Sequence, residues 1–210
     1  SKKMKKMLEE EGKFKKIELV KKFVSKVDET SKYLFKLEDG ALIETVLMGY
    51  HDRNTICISS QVGCKMGCKF CASTKAGYER NLEVSELLEQ IYYVSRTEDI
   101  RINNVVLMGI GEPLDNYDNV IKFIKIITDE RGYNMSIRNI TLSTCGLAKE
   151  IDRLSQEDLP INLTISLHNP FDSERSAIMP INNRYKIGEV FESAKNYFKS
   201  TGRRVSFEYT

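Results

Sequence analysis

Ser59-Ser60-Gln61-Val62-Gly63-Cys64-Lys65-Met66-Gly67-Cys68-Lys69-Phe70-Cys71 follows directly on a short apolar stretch, Ile56–Ser59. Those preceding residues suit a strand buried on both faces. The cysteine spacing is C-x3-C-x2-C. Three thiolates on one tight loop can each take one iron of a cubane cluster, leaving the fourth iron without a protein ligand. Gly63 and Gly67 let the backbone curl close around such a core. Structural zinc would need a fourth ligand, for which Cys57, His51 and His168 are the candidates, and none stands at knuckle spacing. Cys68-Lys69-Phe70-Cys71 could pair as a redox disulfide, but a third cysteine and no thioredoxin-like context accompany it.

Outward from this loop the chain alternates. Strands are predicted over Ile56–Ser59, Asn104–Met108, Asn139–Ser143, Asn162–Ser166 and Arg204–Tyr209. Helical spacing of apolar residues falls between them, over Val84–Arg96, Asn119–Asp129, Leu147–Ser155 and Ile187–Ser200. This order predicts an α/β fold with a parallel sheet and right-handed crossovers. Five such strands are too few for a closed eight-stranded barrel, which leaves an open sheet or a partial barrel. Upstream, Lys16–Val27, Lys32–Leu37 and Ala41–Met48 read as extended, with a hairpin turn at Asp39-Gly40, so a small antiparallel sheet is expected. Residues 1–11 read as a short basic helix end broken at Gly12. The expected division is residues 1–50 as the remainder of an N-terminal domain with its β-hairpin extension, and 51–210 as the main α/β unit.

The 210 residues are 41% apolar and 30% charged, ordinary for one globular domain. No run reaches the roughly 18 apolar residues of a membrane span, and no signal peptide is visible, so a cytoplasmic protein is expected. The net charge of +2 hides an asymmetry: residues 1–26 carry ten lysines against four glutamates. A basic end suits a polyanionic partner, although on charge alone a solvated face is the better reading. The five cysteines are 57, 64, 68, 71 and 145, and three within eight residues point to metal rather than disulfides. Cys145 stands apart and reads as a small buried residue.

Met108-Gly109-Ile110-Gly111-Glu112-Pro113-Leu114 ends the second of the five strands. Glycine there permits close backbone approach, and a carboxylate can hold an ammonium group. Ser143 ends the third strand, and Ser166-Leu167-His168 the fourth. Ligands bind at the carboxyl ends of parallel strands in such folds, although helix capping is a competing reading for each residue.

Together these pieces carry a resemblance. C-x3-C-x-aromatic-C after a first strand is the signature of the radical S-adenosylmethionine superfamily. Cys57-Ile-Ser-Ser-Gln-Val-Gly-Cys64, Met108-Gly-Ile-Gly-Glu-Pro-Leu-Asp-Asn116, Thr141-Leu-Ser-Thr-Cys-Gly146, Ser166-Leu-His168 and Met179-Pro-Ile-Asn182 resemble the RlmN/Cfr class of radical RNA methyltransferases. The proline after Glu112 is closer to RlmN. The resemblance implies a partial radical-enzyme barrel with a [4Fe–4S] cluster on Cys64, Cys68 and Cys71. It implies S-adenosylmethionine chelated at the open iron, with contacts from Gly111, Glu112, Ser143, Ser166, Leu167 and His168. It implies methylation of adenine carbon 2 in 23S rRNA and tRNA through a methyl-cysteine, with Glu44 as proton acceptor and Cys57 as the cysteine that resolves the adduct and ends in a disulfide. An electron donor such as flavodoxin or ferredoxin and a monomeric state are further expectations. A Cfr-like enzyme acting on carbon 8 and a non-catalytic zinc-binding RNA module are the alternatives.

No cysteine follows Cys145, so the methyl-carrying cysteine is absent from this stretch. The chain starts without methionine and ends on a predicted strand, which suggests a fragment unable to complete methyl transfer alone. Lys65, Lys69, Lys75, Arg80, Arg138, Arg184, Arg203 and Arg204, interspersed with Tyr78, Phe171 and Tyr185, together suit phosphate contact and base stacking, while each taken singly reads as a surface charge or a core aromatic.

Overall fold

Side-chain alternation decides how this chain layers. The computed structural model describes residues 17–210; the expected helix over 1–11 and the first residue of the Lys16–Val27 strand lie outside them. Strands β1 (Glu18–Val24), β2 (Thr30–Lys36), β3 (Leu42–Tyr50) and β4 (Arg53–Cys57) pair antiparallel in chain order. The β2–β3 turn is the Asp39-Gly40 hairpin. Gly40 sits at φ 89° and donates its N–H to the Leu37 carbonyl at 3.0 Å, a conformation that suits glycine.

Strands β7 (Asn104–Leu107), β8 (Ile140–Thr144), β9 (Asn162–Ser166) and β10 (Val205–Glu208) then add parallel to β4. The result is one eight-stranded sheet ordered β1-β2-β3-β4-β7-β8-β9-β10. Each parallel strand lies beside the next in sequence. That singly wound order belongs to a partial β/α barrel rather than to a doubly wound sheet, whose order reverses. The antiparallel part is therefore no separate small sheet; β4 belongs to both halves.

Between the parallel strands run helices α2 (Val84–Glu98), α3 (Tyr117–Thr128), α4 (Ala148–Leu154) and α6 (Ile187–Thr201), near the expected positions. Leu87, Ile91 and Val94 of α2 repeat at helical spacing and are fully buried. The Glu86 carboxylate accepts the Glu83 N–H at 2.8 Å and fixes where α2 starts. Three pieces were not expected from sequence. A hairpin of β5 (Gln61–Gly63) and β6 (Tyr78–Asn81) brackets the cysteines, α1 (Ala72–Lys75) follows them, and α5 (Asp172–Ile178) follows β9.

The sheet has two unlike faces. Residues facing each other across neighbouring strands share a side. Register places Val46 opposite Cys57, Cys57 opposite Val106, Val106 opposite Thr141, Ser143 opposite Thr164 and Ser166 opposite Glu208. Glu44, two residues from Val46, shares that side. The other side presents Ile43, Ile56, Val105, Leu142, Leu163 and Ile165, all buried beneath the helices. Gln90 of α2 accepts the Thr45 hydroxyl at 2.8 Å on this covered side.

Candidate active site

The cysteine loop leaves β5 through a turn that only glycine fits. Gly63 has φ 72°, and a Cβ there would lie 1.7 Å from the Gly77 carbonyl oxygen. Cys64 donates its N–H to that same oxygen at 2.9 Å, and Cys71 donates to the Cys68 carbonyl at 3.1 Å. Lys69 donates to the Ile178 carbonyl at 2.9 Å, which seats the loop on the end of α5. Cys64 and Cys68 are buried, and Cys71 is half-buried.

The three cysteines line a cavity of about 340 Å³ at the carboxyl ends of β7, β8 and β9. Gly111, Glu112, Ser143, Ser166 and His168 line it too. Burial pushes the Cys68 thiol up to about 11, helped by its cysteine neighbours. Burial raises Cys64 as well. Among the described residues no three His, Cys, Asp or Glu side chains converge tightly enough to hold one ion. His51 is exposed in the β3–β4 turn, and Cys57 is not among the cavity-lining residues.

Glu112 lines the same cavity as the thiols. Its turn is fastened to the first residues of the loop: Ser60 N–H donates to the Ile110 carbonyl at 2.8 Å, and Glu112 N–H donates to Gln61 Oε1 at 2.8 Å. Gly111, at φ 108°, passes so close that a Cβ would sit 2.6 Å from Gln61 Cβ. The Glu112 carboxylate accepts the Leu114 N–H at 3.1 Å and the Cys145 N–H at 2.8 Å. It is buried, makes no ion pair among the described residues, and its carboxyl is pushed up, chiefly by desolvation. A buried carboxylate beside a cavity, without a cation, is a demand for one.

The β8–β10 rim supplies hydroxyls. Ser143 and Ser166 donate to one Glu208 carboxylate oxygen at 3.4 and 3.1 Å. Leu167 and His168 donate their N–H groups to the Glu208 carbonyl, each at 3.0 Å. His168 holds a left-handed φ of 55°, and its ring meets Phe70 edge to face at 4.7 Å. Its Nδ1 is buried without a partner, and desolvation lowers the imidazole's pKa. An orphaned Nδ1, an uncompensated carboxylate and three free thiols around one cavity fit an iron–sulfur centre with an ammonium-bearing ligand beside it.

Glu44 and Cys57 share the sheet side that carries Ser143 and Ser166, outside the cavity lining. Glu44 is half-buried and pairs with Lys32 Nζ at 2.9 Å, while its carbonyl accepts the Ser59 hydroxyl at 2.6 Å. Burial pushes the Cys57 thiol up to about 11. All five cysteines are free. Cys145 is buried, as expected, with its thiol pushed well up by burial.

Two of the RNA-contact candidates have structural roles. Tyr185 is buried, so its ring packs in the core rather than facing a base. Arg80 is a brace: Nε binds Asp39 at 2.6 Å, and Nη1 and Nη2 bind Glu86 at 2.8 Å. Sequence reading gave no role to Gln61, Arg175 or Glu208. Gln61 and Glu208 stood inside stretches already singled out, but their partners are distant in the chain.

A family model described as the radical SAM superfamily matches residues 58–210. A probable dual-specificity RNA methyltransferase RlmN of Finegoldia magna is 59% identical over 91% of this chain and 55% of its own length. The corresponding protein of Lachnoclostridium phytofermentans is 51% identical over 91% of this chain and 54% of its own. The chain thus spans about half the length of the curated relatives it matches. A crystal structure of a radical SAM methyltransferase from Sphaerobacter thermophilus superposes with TM-score 0.93 at 41% identity, covering all of this chain and 62% of that one. Three thiols on a glycine-bent loop, at the mouth of a singly wound sheet that aligns with this family from Ile58 onward, are one pattern seen twice: the chain belongs to the radical SAM superfamily.

Proposed function

We propose that the whole protein is a radical S-adenosylmethionine RNA methyltransferase acting on carbon 2 of adenine in 23S rRNA and tRNA. The observation that carries this reading is Glu112, a buried carboxylate without a cation in the cavity the three cysteines line. Cys64, Cys68 and Cys71 hold the [4Fe–4S] cluster as thiolates. When bound, cluster and S-adenosylmethionine together supply the one-electron cleavage that generates a carbon radical. Glu112 takes the methionyl ammonium, held in place by the Leu114 and Cys145 amides. Gly111 brings its backbone close. Ser143, Ser166 and His168 line the remaining wall, and Leu167 joins the last two through the backbone without lining the cavity itself. Glu44 accepts the proton from the modified base, and Cys57 resolves the protein–RNA adduct, both from the open side of the sheet.

The names of the relatives support RNA as substrate, and the proline after Glu112 favours carbon 2 over carbon 8. We assign residues 51–210 to the partial barrel and 1–50 to an N-terminal part ending in the β-hairpin extension. No helix among the described residues is long and apolar enough to cross a membrane. A cytoplasmic monomer reduced by a flavodoxin or ferredoxin fits this reading.

The test is anaerobic reconstitution with iron and sulfide, followed by incubation of the whole protein with S-adenosylmethionine and RNA. About four irons per chain are expected, lost when Cys64, Cys68 or Cys71 becomes alanine. Digested RNA should carry 2-methyladenine by mass spectrometry. A colourless protein holding one zinc, or 8-methyladenine as the product, would overturn the assignment.

A further inference from the structure

Arg175 on α5 is fully buried. Its Nε donates to the Leu167 carbonyl at 3.1 Å and its Nη1 to Asn182 Oδ1 at 2.8 Å. Its Nη2 donates to the carbonyls of Cys145 and Ser166, at 2.8 and 2.9 Å. Every one of these acceptors is neutral. None of the ion pairs among the described residues includes it. Asp172, one turn earlier, spends Oδ1 on the Asn182 amide and the Ile187 N–H. A guanidinium stays charged in proteins, and a buried charge without a counter-charge is expensive.

What lies beside it is the cysteine end of the cavity. Cys145 and Ser166, whose carbonyls it grips, line that cavity. So does Met179, the residue after α5. The Ile178 carbonyl receives the Lys69 N–H, and Gly67 lies so near Pro180 that an added Cβ would be 3.2 Å from the ring. Burial pulls the Arg175 guanidinium down from its ordinary range, and Cys145, Cys68 and Asp172 act in the opposite direction.

We propose that Arg175 is the fixed counter-charge of the cluster held by Cys64, Cys68 and Cys71, a positioning residue that touches neither cluster nor cofactor and makes the cluster easier to reduce. This rests on the cysteine assignment made above. Three thiolates leave the oxidised centre anionic, and the single electron it accepts makes it more so, with no bond made or broken. A buried cation behind the wall favours the reduced form. A purely mechanical arginine, stapling the ends of β8 and β9 through three carbonyls, would have no such effect.

The experiment is a potentiometric titration with dithionite and mediators, followed by electron paramagnetic resonance, on the reconstituted chain without S-adenosylmethionine. Arg175→Gln removes the charge. Asn182→Asp keeps the guanidinium and its three carbonyl bonds, sets an anion against Nη1 and gives up the amide's bonds to Asp172 and Ser176. Both should lower the midpoint potential enough to cut the reduced-to-oxidised ratio about tenfold at fixed poise, 59 mV for one electron. Arg175→Lys should stay close to the parent. If Arg175→Gln fails to fold by circular dichroism, Asn182→Asp carries the test. Loss of iron in the Gln and Asp variants with retention in the Lys variant also supports a charge requirement. Unchanged potentials, or iron lost equally in all three variants, overturn the proposal and leave a mechanical staple. A parent chain that takes up no cluster sinks the cysteine assignment itself.

Discussion

The Glu112 carboxylate accepts two backbone N–H groups and faces the cavity buried. Desolvation raises its folded-state pKa above the value in the unfolded chain. The stability contributed by the neutral carboxyl is therefore present in acid and lost as pH rises through the folded value. In the ligand-free protein the urea midpoint should fall as pH climbs out of the ordinary carboxylate range. Glu112→Gln should flatten that slope and weaken S-adenosylmethionine binding by about 2 kcal/mol or more. A Gln variant with the parental slope and affinity would remove Glu112 from the site. This residue was legible in the sequence because Gly-Ile-Gly-Glu-Pro follows a predicted strand. Glu208 was not: a glutamate in a strand reads as solvent-facing. Its meaning comes from Ser166 and Ser143, 42 and 65 positions earlier.

At the scale of elements, the β5–β6 hairpin clamps both ends of the cysteine loop. It escaped sequence reading because its strands span three and four residues, too short for a periodic signal. The four-residue α1 escaped for the same reason, and α5 because, unlike the equally long α4, it carries no apolar repeat. The longer α2, α3 and α6 announced themselves by apolar spacing. The hairpin hinges on Gly63, where a side chain would meet the Gly77 backbone and a left-handed φ adds about 1–2 kcal/mol for an L-residue. Gly63→Ala should abolish hydrogen-exchange protection across β5 and β6 and reduce iron uptake, while α3 exchanges as before. Parental exchange over residues 61–63 and 78–81 would show that the loop does not depend on the hairpin.

Across the whole molecule, one helix joins the two halves of the sheet. Phe35 of β2 packs edge-on against Tyr93 of α2 at 4.9 Å, and the Tyr33 hydroxyl donates to Glu98 of the same helix at 2.8 Å. Ser59, just past β4, donates its N–H to Gln90 of α2 at 2.9 Å. The antiparallel extension and the parallel half should therefore melt as one cooperative unit. Phe35→Ala is expected to destabilise that unit by about 3–5 kcal/mol. A calorimetric trace resolving two transitions, with only the first displaced, would show independent domains. The change of face along each strand also bears on how such a protein accepts mutation. In β8, Ile140 and Leu142 lie under helices, while Thr141 and Ser143 look across the open side. Stability and chemistry are thus assigned by alternation, successive residues of a strand serving one and then the other. Lineages can retune what the open side recognises without disturbing the scaffold beneath it.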